Sequence, residues 1–333
     1  MTHEDVLSQL KQEFDAKRHQ SLRQQEERTA QVCSVCPEIK QLLDARSDLL
    51  MGGIRKMLMD MQNQSAPCGV DIQSDLDHMT EQIHNKLLEN GFPMDYLQPV
   101  YQCDRCKDQG YIYTPGRQMC DCMKKELIQR DLARVGIDEN GPSFDKFSLE
   151  YYDDDEAAAV ISPRKLAEVA LKVCKNFSDE YPEQTVKNIL ITGTSGLGKT
   201  YLMQCMARRF MERLISVEII SAYRLIEAAR DAWFDHDDAS MDSYLEAPLL
   251  MIDDLGTEPL FNNITVTQLF NLLNERASKG LSTIISTNLK MSELQERYTE
   301  RVASRLQDPK SWRYLHLEGK DIRKVRKRGE NEI

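Results

Sequence analysis

Residues 188–201, which read NILITGTSGLGKTY, decide the fold of this chain. Residues 193–200 match the pattern G-x-x-x-x-G-K-[ST]. The apolar run 189–191 predicts a buried strand, and residues 202–207 have the composition of a helix. A strand, a glycine loop and a helix in this order can hold a phosphate chain, because glycines let backbone N–H groups approach it and the helix N-terminus adds partial positive charge.

Two side chains of this loop complete a predicted site for ATP with Mg²⁺. Lys199 supplies a positive charge for the β- and γ-phosphates, and Thr200 supplies a hydroxyl for Mg²⁺. The alternative is a glycine-rich turn that binds nothing, which the flanking strand and helix argue against. The residues predicted to contact the nucleotide are Gly193, Thr194, Ser195, Gly196, Leu197, Gly198, Lys199, Thr200 and Tyr201, together with Asp253.

Composition excludes a membrane protein and a disulfide scaffold. The 333 residues are 41% hydrophobic and 29% charged, as in a globular protein that can form two domains. No apolar run approaches the roughly 18 residues of a membrane span. The polar, acidic N-terminus is not a signal peptide, so we expect a cytoplasmic protein whose nine cysteines are thiols or metal ligands. A net charge of −11 disfavours general coating of nucleic acid but allows a local basic groove.

Residues 1–100 predict a helical region. Residues 1–30 are highly charged, lack Pro and Gly, and place Val6, Leu10 and Phe14 at helical spacing, which indicates an exposed helix. A second helix opens at Pro37, and a third ends before a capping Gly91. These helices are either plain scaffold or a module that docks a partner protein, and periodicity alone does not separate the two.

Residues 101–125 predict a small zinc module. Cys103-x2-Cys106 is followed after thirteen residues by Cys120-x-Cys122, and four close thiolates suit a tetrahedral Zn²⁺. A Cys₄ shell has no open position for water, so we expect a structural role; unrelated thiols are the alternative. Cys33-x2-Cys36 has no second pair nearby and is predicted to bind no metal.

The remaining chain predicts an α/β domain. Residues 126–160, with Gly141-Pro142, look like a linker, and a helix then begins at Ser162-Pro163. Strands and helices alternate after the glycine loop. The predicted elements are strands at 217–220, 248–254 and 282–288 and helices at 222–235 and 266–279. We therefore expect residues 161–333 to form a parallel sheet flanked by helices, with ligands at the carboxyl ends of the strands.

Polar side chains follow two of these strands. Asp253 and Asp254 come after four apolar residues, and Asn288 ends the next strand. Asp253 is predicted to orient Mg²⁺ together with Thr200, while Asp254 polarises the attacking water and the Asn288 amide helps to hold it. The alternatives are a solvated Asp pair and an Asn that merely ends a strand.

Arginines in residues 293–308 are candidates for a further catalytic role. Arg301 and Arg305 lie one helical turn apart, and an arginine donated to a neighbouring subunit's nucleotide would stabilise transition-state charge. Arg305 is the preferred candidate for such an arginine finger, Arg301 is the second candidate and Arg297 the third. Surface pairing with Glu296 and Glu300 is the alternative. The basic run 319–328 either touches phosphates or is a solvated tail.

These motifs together resemble a known family. GTSGLGKT, LLMIDDLG, TIISTN and ERVASRL, in this order, resemble the AAA+ ATPases, and more narrowly the DnaC/DnaI group of replicative helicase loaders and the related IstB transposition helpers. The paired DD, the G-x-D-I-R stretch at 319–323 and the little room left for a helical lid are similar to that group. The cysteine-rich segment resembles the zinc segment of the DnaI-like loaders.

The resemblance implies a role that the residues alone do not. The N-terminal region would bind a hexameric replicative helicase, and the AAA+ domain would bind ATP and single-stranded DNA, hydrolyse ATP weakly without a partner, and form a self-oligomer. Arg224, Arg230 and Lys324 are candidate contacts to DNA. An IstB-like transposition helper and a zinc-dependent adaptor with little turnover are the competing functions.

Overall fold

A five-stranded parallel sheet forms the centre of one of the two units into which the chain divides. The computed structural model describes residues 2–62, 72–113, 115–154, 161–235, 239–261 and 264–324. One unit comprises residues 9–123, and the other comprises residues 1–8 and 124–333. The four functional regions predicted from the sequence remain predictions.

Three helices precede the cysteine-rich segment: α1 (His3–Val35), α2 (Pro37–Gln62) and α3 (Ile72–Glu89). The end of α3 is capped as predicted, because Gly91 adopts a φ of +79° and the Phe92 N–H donates to the Leu87 carbonyl at 2.9 Å. The C-terminal end of α1 packs against α2 and α3 in a small apolar core that includes Val32, Ile39 and Ile83.

The prediction that α1 is an exposed helix is wrong for its apolar face. Val6, Leu10 and Phe14 are all buried, although the rest of the helix is largely polar and exposed. Leaving a stripe of apolar side chains in water is unfavourable, so these three side chains are covered in the folded protein.

A two-stranded antiparallel hairpin and a helix follow. The hairpin pairs β1 (Tyr111–Ile112) with β2 (Gln118–Met119), and α4 (Asp121–Arg134) continues from it. Two 3-10 turns lie at Phe144–Lys146 and Leu149–Tyr151. The predicted linker is therefore structured over much of its described length, because Leu132 and Ile137 are buried in the core of the larger unit.

The predicted parallel sheet is confirmed, with the strand order β4-β5-β6-β3-β7 and every neighbouring pair parallel. The helix α5 (Pro163–Glu180) enters it, and Ser162 caps that helix by accepting from the Lys165 N–H at 3.3 Å. The elements that follow are β3 (Asn188–Thr192), α6 (Lys199–Glu212), β4 (Val217–Ser221), α7 (Ala222–Asp235), α8 (Ala239–Glu246), β5 (Leu249–Leu255), α9 (Ile264–Ser278), β6 (Ser282–Thr287), α10 (Met291–Leu306) and β7 (Trp312–His316).

The sheet is covered on both faces. Ile189 and Ile191 of β3 face the core formed with α5 and α6, whereas Leu190 faces the core formed with α7, α9 and α10. Successive strand residues point to opposite faces, so the apolar run of β3 is needed on both sides. The carboxyl ends of β3, β5 and β6 consequently meet at one edge of a three-layer domain.

Candidate functional site

The loop between β3 and α6 has the backbone conformation that its glycines predict. Gly193, Gly196 and Gly198 have φ values of +142°, +82° and +84°. A Cβ atom on Gly193 would lie 2.3 Å from the Leu317 carbonyl oxygen, so no other residue fits there without a shift of the backbone. Gly198 is the N-cap of α6, and the loop therefore sits at the N-terminus of a fourteen-residue helix.

Lys199 holds its charge inside this loop. Its side chain is 4% exposed, and Nζ donates to the carbonyls of Gly193 and Thr194 at 2.7 and 2.8 Å and to Asn288 Oδ1 at 2.6 Å. Burial lowers the pKa of Lys199, while the nearby carboxylates oppose that shift. The lysine is thus fixed where an incoming phosphate oxygen can replace the loop carbonyls as its partner.

Asp253 and Thr200 provide oxygen ligands that fit Mg²⁺. The Thr200 hydroxyl donates to both carboxylate oxygens of Asp253, at 3.0 and 3.1 Å. The Ser286 hydroxyl from β6 also donates to Asp253 and fixes the carboxylate from the other side. A hydroxyl, a carboxylate and substrate phosphates are the donors that Mg²⁺ takes in proteins of this chemistry.

Asp254 is held in an unusual backbone conformation beside Asp253. Its φ is +54°, where the register between β5 and β6 is irregular. Its N–H donates to Ser286 Oγ at 2.9 Å, and its carboxylate accepts from Asn288 Nδ2 at 3.3 Å. Burial, and then the charge of Asp253, raise the pKa of Asp254. Asn288 therefore bridges Lys199 and Asp254, the geometry expected of groups that would orient an attacking water.

The structure does not bring Arg301 and Arg305, the two preferred finger arginines, to this cluster. Arg301 and Arg305 line a groove of about 680 Å³, and the Arg305 guanidinium lies 5.4 Å from the centre of the Phe270 ring. Asn188, the first residue of β3, lines the same groove, whereas the glycine loop follows the last residue of that strand. The two sites are therefore at opposite ends of β3, roughly 15 Å apart for a strand of this length.

Two segments contact the glycine loop in a way that sequence reasoning missed or left open. The Tyr152 hydroxyl donates to the Leu197 carbonyl at 2.9 Å, the Ile322 N–H donates to the Gly196 carbonyl at 2.9 Å, and Arg323 Nη2 lies 3.2 Å from Ser195 Oγ. The G-x-D-I-R stretch was the available signal for the second segment. Its described part, through Lys324, thus packs on the loop, and residues 325–328 lie outside the described residues.

The four predicted zinc ligands form one cluster. The sulfur atoms of Cys103, Cys106, Cys120 and Cys122 all lie within 4.8 Å of one another, with Cys103–Cys120 at 3.8 Å and Cys106–Cys122 at 3.5 Å. A tetrahedral Zn²⁺ with bonds of about 2.3 Å needs sulfur–sulfur distances of about 3.8 Å. The cluster can hold a metal of this kind. It is the only such group among the residues that the structure describes.

Local backbone geometry builds this cluster. The buried Asp108 carboxylate accepts from the Gln102 and Cys103 N–H groups, both at 2.9 Å, and closes the turn that carries the first pair. The Cys120 N–H donates to the Gly110 carbonyl at 2.8 Å and brings the second pair alongside. Donation from the Cys106 N–H is the main reason that the pKa of Cys103 is lowered to about 7, whereas burial raises the pKa values of Cys106 and Cys122.

The candidate DNA contacts lie near exposed aromatic side chains. The Arg230 guanidinium is 5.3 Å from the centre of the Phe261 ring and pairs with Asp231, and Arg224 is exposed on the same helix α7. Tyr223, Trp233 and Phe234 of α7 are 47%, 56% and 65% exposed. Exposed aromatics beside arginines suit base stacking and phosphate contacts. Among the described helices, none has the length and apolar content to cross a membrane.

A parallel sheet with this loop, lysine and paired carboxylates defines the class of P-loop nucleotide-binding proteins. Residues 123–309 match the family model described as IstB-like ATP binding protein, and the chain belongs to that family.

Individual relatives are more distant. The replicative helicase loader DnaI of Bacillus subtilis (strain 168) is 24% identical over 227 residues, which is 67% of this chain and 64% of that protein. Crystal structures of the DnaC helicase loader and of DnaI are 20% and 23% identical, both with a TM-score of 0.43. They cover 53% and 54% of this chain and 98% and 90% of their own.

Proposed function

We propose that this protein is an ATPase that loads a hexameric replicative helicase onto single-stranded DNA. The observation that carries the catalytic part is the linked cluster Lys199–Asn288–Asp254 beside Thr200–Asp253, at the carboxyl ends of three adjacent strands. The similarity to a curated helicase loader supports the choice of substrate. Because the match spans only 64% of that relative, both the helicase-loading activity and the partners are part of this proposal.

In this proposal the chain's own residues divide the work of phosphoryl transfer. Lys199 binds phosphate oxygens, and Thr200 with Asp253 holds Mg²⁺, which supplies charge neutralisation when bound. Asp254, whose pKa is raised, accepts a proton from water that Asn288 orients. Tyr152 and Arg323 support the loop from outside through Leu197 and Ser195. Arg305, or Arg301, would act on the nucleotide of a neighbouring subunit in a self-oligomer.

The N-terminal unit offers a surface for the helicase. Leu50, Met51, Ile54 and Met59 of α2 are between 41% and 62% exposed, which is unusual for four large apolar side chains within ten residues. Such a patch is typical of a protein-binding surface. In this proposal the Cys₄ cluster binds one Zn²⁺, which stabilises the fold of a segment that has few apolar side chains of its own.

A reconstitution experiment tests the loader function. Purified protein, a hexameric replicative helicase and circular single-stranded DNA are mixed with ATP, and helicase retained on the DNA is measured after gel filtration. We expect retention to rise with wild-type protein and not with Lys199→Ala. Equal retention with and without the protein would contradict the proposal.

An IstB-like transposition helper is the second candidate, because the matching family model carries that description. The cysteine cluster counts against it, since Cys103–Cys122 precede the matched residues 123–309. Stimulation of a DNA transposase, with no retention of helicase in the assay above, would favour this alternative.

A further inference from the structure

Glu258 is a buried carboxylate that the proposed chemistry does not use. It lies four residues after Asp254, and its side chain is completely inaccessible to solvent. A buried charge is costly unless it is paired and hydrogen-bonded. The hydrogen-bond partners of Glu258 therefore indicate its role. These partners lie on two different elements.

One carboxylate oxygen of Glu258 holds the turn that carries Asp254. Oε2 accepts from the Gly256 N–H at 2.9 Å. In the same turn, Thr257 donates to the Asp254 carbonyl from both its N–H, at 3.2 Å, and its hydroxyl, at 2.8 Å. A shift of the Asp254 backbone would therefore move the donor that Glu258 binds.

The other oxygen of Glu258 holds the first part of α10. Oε1 accepts from the hydroxyl of Tyr298, which is fully buried, and pairs with Arg297 Nε at 3.4 Å. Arg297 also donates to the Glu258 carbonyl. Burial, and then the charge of Glu258, raise the pKa of Tyr298, so this hydroxyl stays protonated and remains a donor.

The backbone of α10 breaks immediately after this contact. Thr299 has φ +72° and ψ +162°, a conformation that is almost confined to glycine. The break separates the part that Glu258 holds from the part that carries Arg301 and Arg305. The direction of the part that carries Arg301 and Arg305 therefore depends on where Tyr298 lies, and the Glu258 carboxylate ties Tyr298 to the Asp254 turn.

We propose that Glu258 is a positioning residue that couples the Asp254 turn to α10, so that the placement of Arg301 and Arg305 depends on the nucleotide in the same subunit. This inference rests on the proposed ATPase function. It assigns to Glu258, Arg297 and Tyr298 a role in relaying the state of the site rather than in the chemistry itself.

Hydrogen–deuterium exchange on the full chain tests the coupling. Exchange is compared with and without a non-hydrolysable ATP analogue and Mg²⁺, in wild type, in the isosteric Glu258→Gln and in Arg297→Gln. The second variant changes a side chain that is 25% exposed and is therefore less disruptive if the first fails to fold. Glu218→Gln is the matched control, because it removes another shielded ion pair, with Arg134, away from the site.

In wild type and in Glu218→Gln, nucleotide should change exchange both in residues 193–202 and in residues 291–306. In Glu258→Gln and Arg297→Gln, the change in residues 193–202 should persist with unchanged nucleotide affinity, while that in residues 291–306 falls at least about threefold. An equal response of residues 291–306 in all proteins, or none in wild type while residues 193–202 respond, would overturn the inference alone. No response of residues 193–202 in wild type would overturn the proposed ATP site and the inference with it.

Discussion

At the scale of single residues, the proposed ATP site predicts a strong dependence of nucleotide binding on Lys199. Replacement of Lys199 by Ala removes a buried cation that faces the glycine loop, so ATP affinity should fall below detection while the fold is kept. Nucleotide titration with circular dichroism alongside measures both. Lys172→Ala on the exposed face of α5 is the control and should bind ATP normally. Unchanged affinity in Lys199→Ala would refute the ATP site.

Asp254 leads to a prediction about both rate and pH. Asp254→Asn should bind ATP and lose hydrolysis by a factor on the order of 10²–10⁴, because a general base is gone. The raised pKa means that the folded state disfavours the carboxylate, so the wild type is less stable above that pKa than below it. The variant should therefore be the more stable protein near neutral pH, and its advantage should shrink as the pH falls through the pKa of Asp254.

Thermal unfolding over a pH series, together with single-turnover hydrolysis, checks this prediction. Asp242→Asn, which changes an exposed carboxylate on α8, should alter neither the rate nor the pH dependence. A stability difference between Asp254→Asn and wild type that grows toward acid would have the wrong sign.

The backbone at Thr299 should carry strain that glycine relieves. Thr299→Gly should raise the free energy of unfolding by about 1 kcal/mol, because φ near +72° is costly for a β-branched residue. Thr299→Ala keeps a Cβ atom and should give no such gain. Chemical denaturation measures all three proteins, and equal effects of Ala and Gly would show that the conformation is not strained.

At the scale of elements, the cysteine cluster predicts a metal-dependent segment. The purified protein should hold about one Zn²⁺ per chain, and Cys120→Ser or Cys122→Ser should lose it together with the protease resistance of residues 101–125. Elemental analysis and limited proteolysis measure these effects. Cys33→Ser should keep the metal, since Cys33 lies outside the cluster. Full zinc content in both cluster variants would place the metal elsewhere.

The elements that the sequence predicts well are those with strong local patterns. β3, β5 and β6 each contain a short apolar run that is buried in the sheet, namely residues 189–191, 249–252 and 284–285, and Ser162-Pro163 marks the start of α5 directly. The sequence predicts residues from 126 onward as linker, although α4 runs to Arg134, because the many charged residues of this helix obscure a few buried apolar positions such as Leu132. β7 was not predicted, because it is an edge strand with Arg313 and His316 exposed and only two buried residues.

The candidate site likewise has features that the local sequence predicts and features that it does not predict. The glycine loop and the two carboxylates follow from local sequence, since each needs only its own strand and turn. The contacts of Ser286 with Asp253, of Tyr152 with Leu197 and of Glu258 with Tyr298 join distant parts of the chain. No local pattern encodes such contacts, so they emerged only from the tertiary structure.

At the scale of the whole molecule, hydrolysis should require a second copy of the chain. Arg305 lies at the end of β3 opposite to the glycine loop, so a subunit cannot easily use it on its own nucleotide. Activity per chain should rise with protein concentration, and Arg305→Ala should lower the plateau by a factor on the order of 10³ without weakening ATP binding.

A mixing experiment separates the two halves of this prediction. Lys199→Ala keeps the arginine and lacks the nucleotide, whereas Arg305→Ala keeps the nucleotide and lacks the arginine. A mixture should recover activity that neither variant has alone. Arg305→Ala that behaves as wild type at every concentration would redirect the assignment to Arg301, because the side chain of Arg297 is paired with Glu258 of its own subunit.

The order of the strands has a consequence for how the protein is made. β3, which leads into the glycine loop, pairs with β6 on one side and with β7 on the other, and both are translated after it. A nascent chain that has just emerged through residue 200 therefore holds the complete sequence of the loop on a strand with no neighbours. Because sheet pairing between distant segments forms late, the growing polypeptide should not sequester ATP until residues 282–316 have left the ribosome.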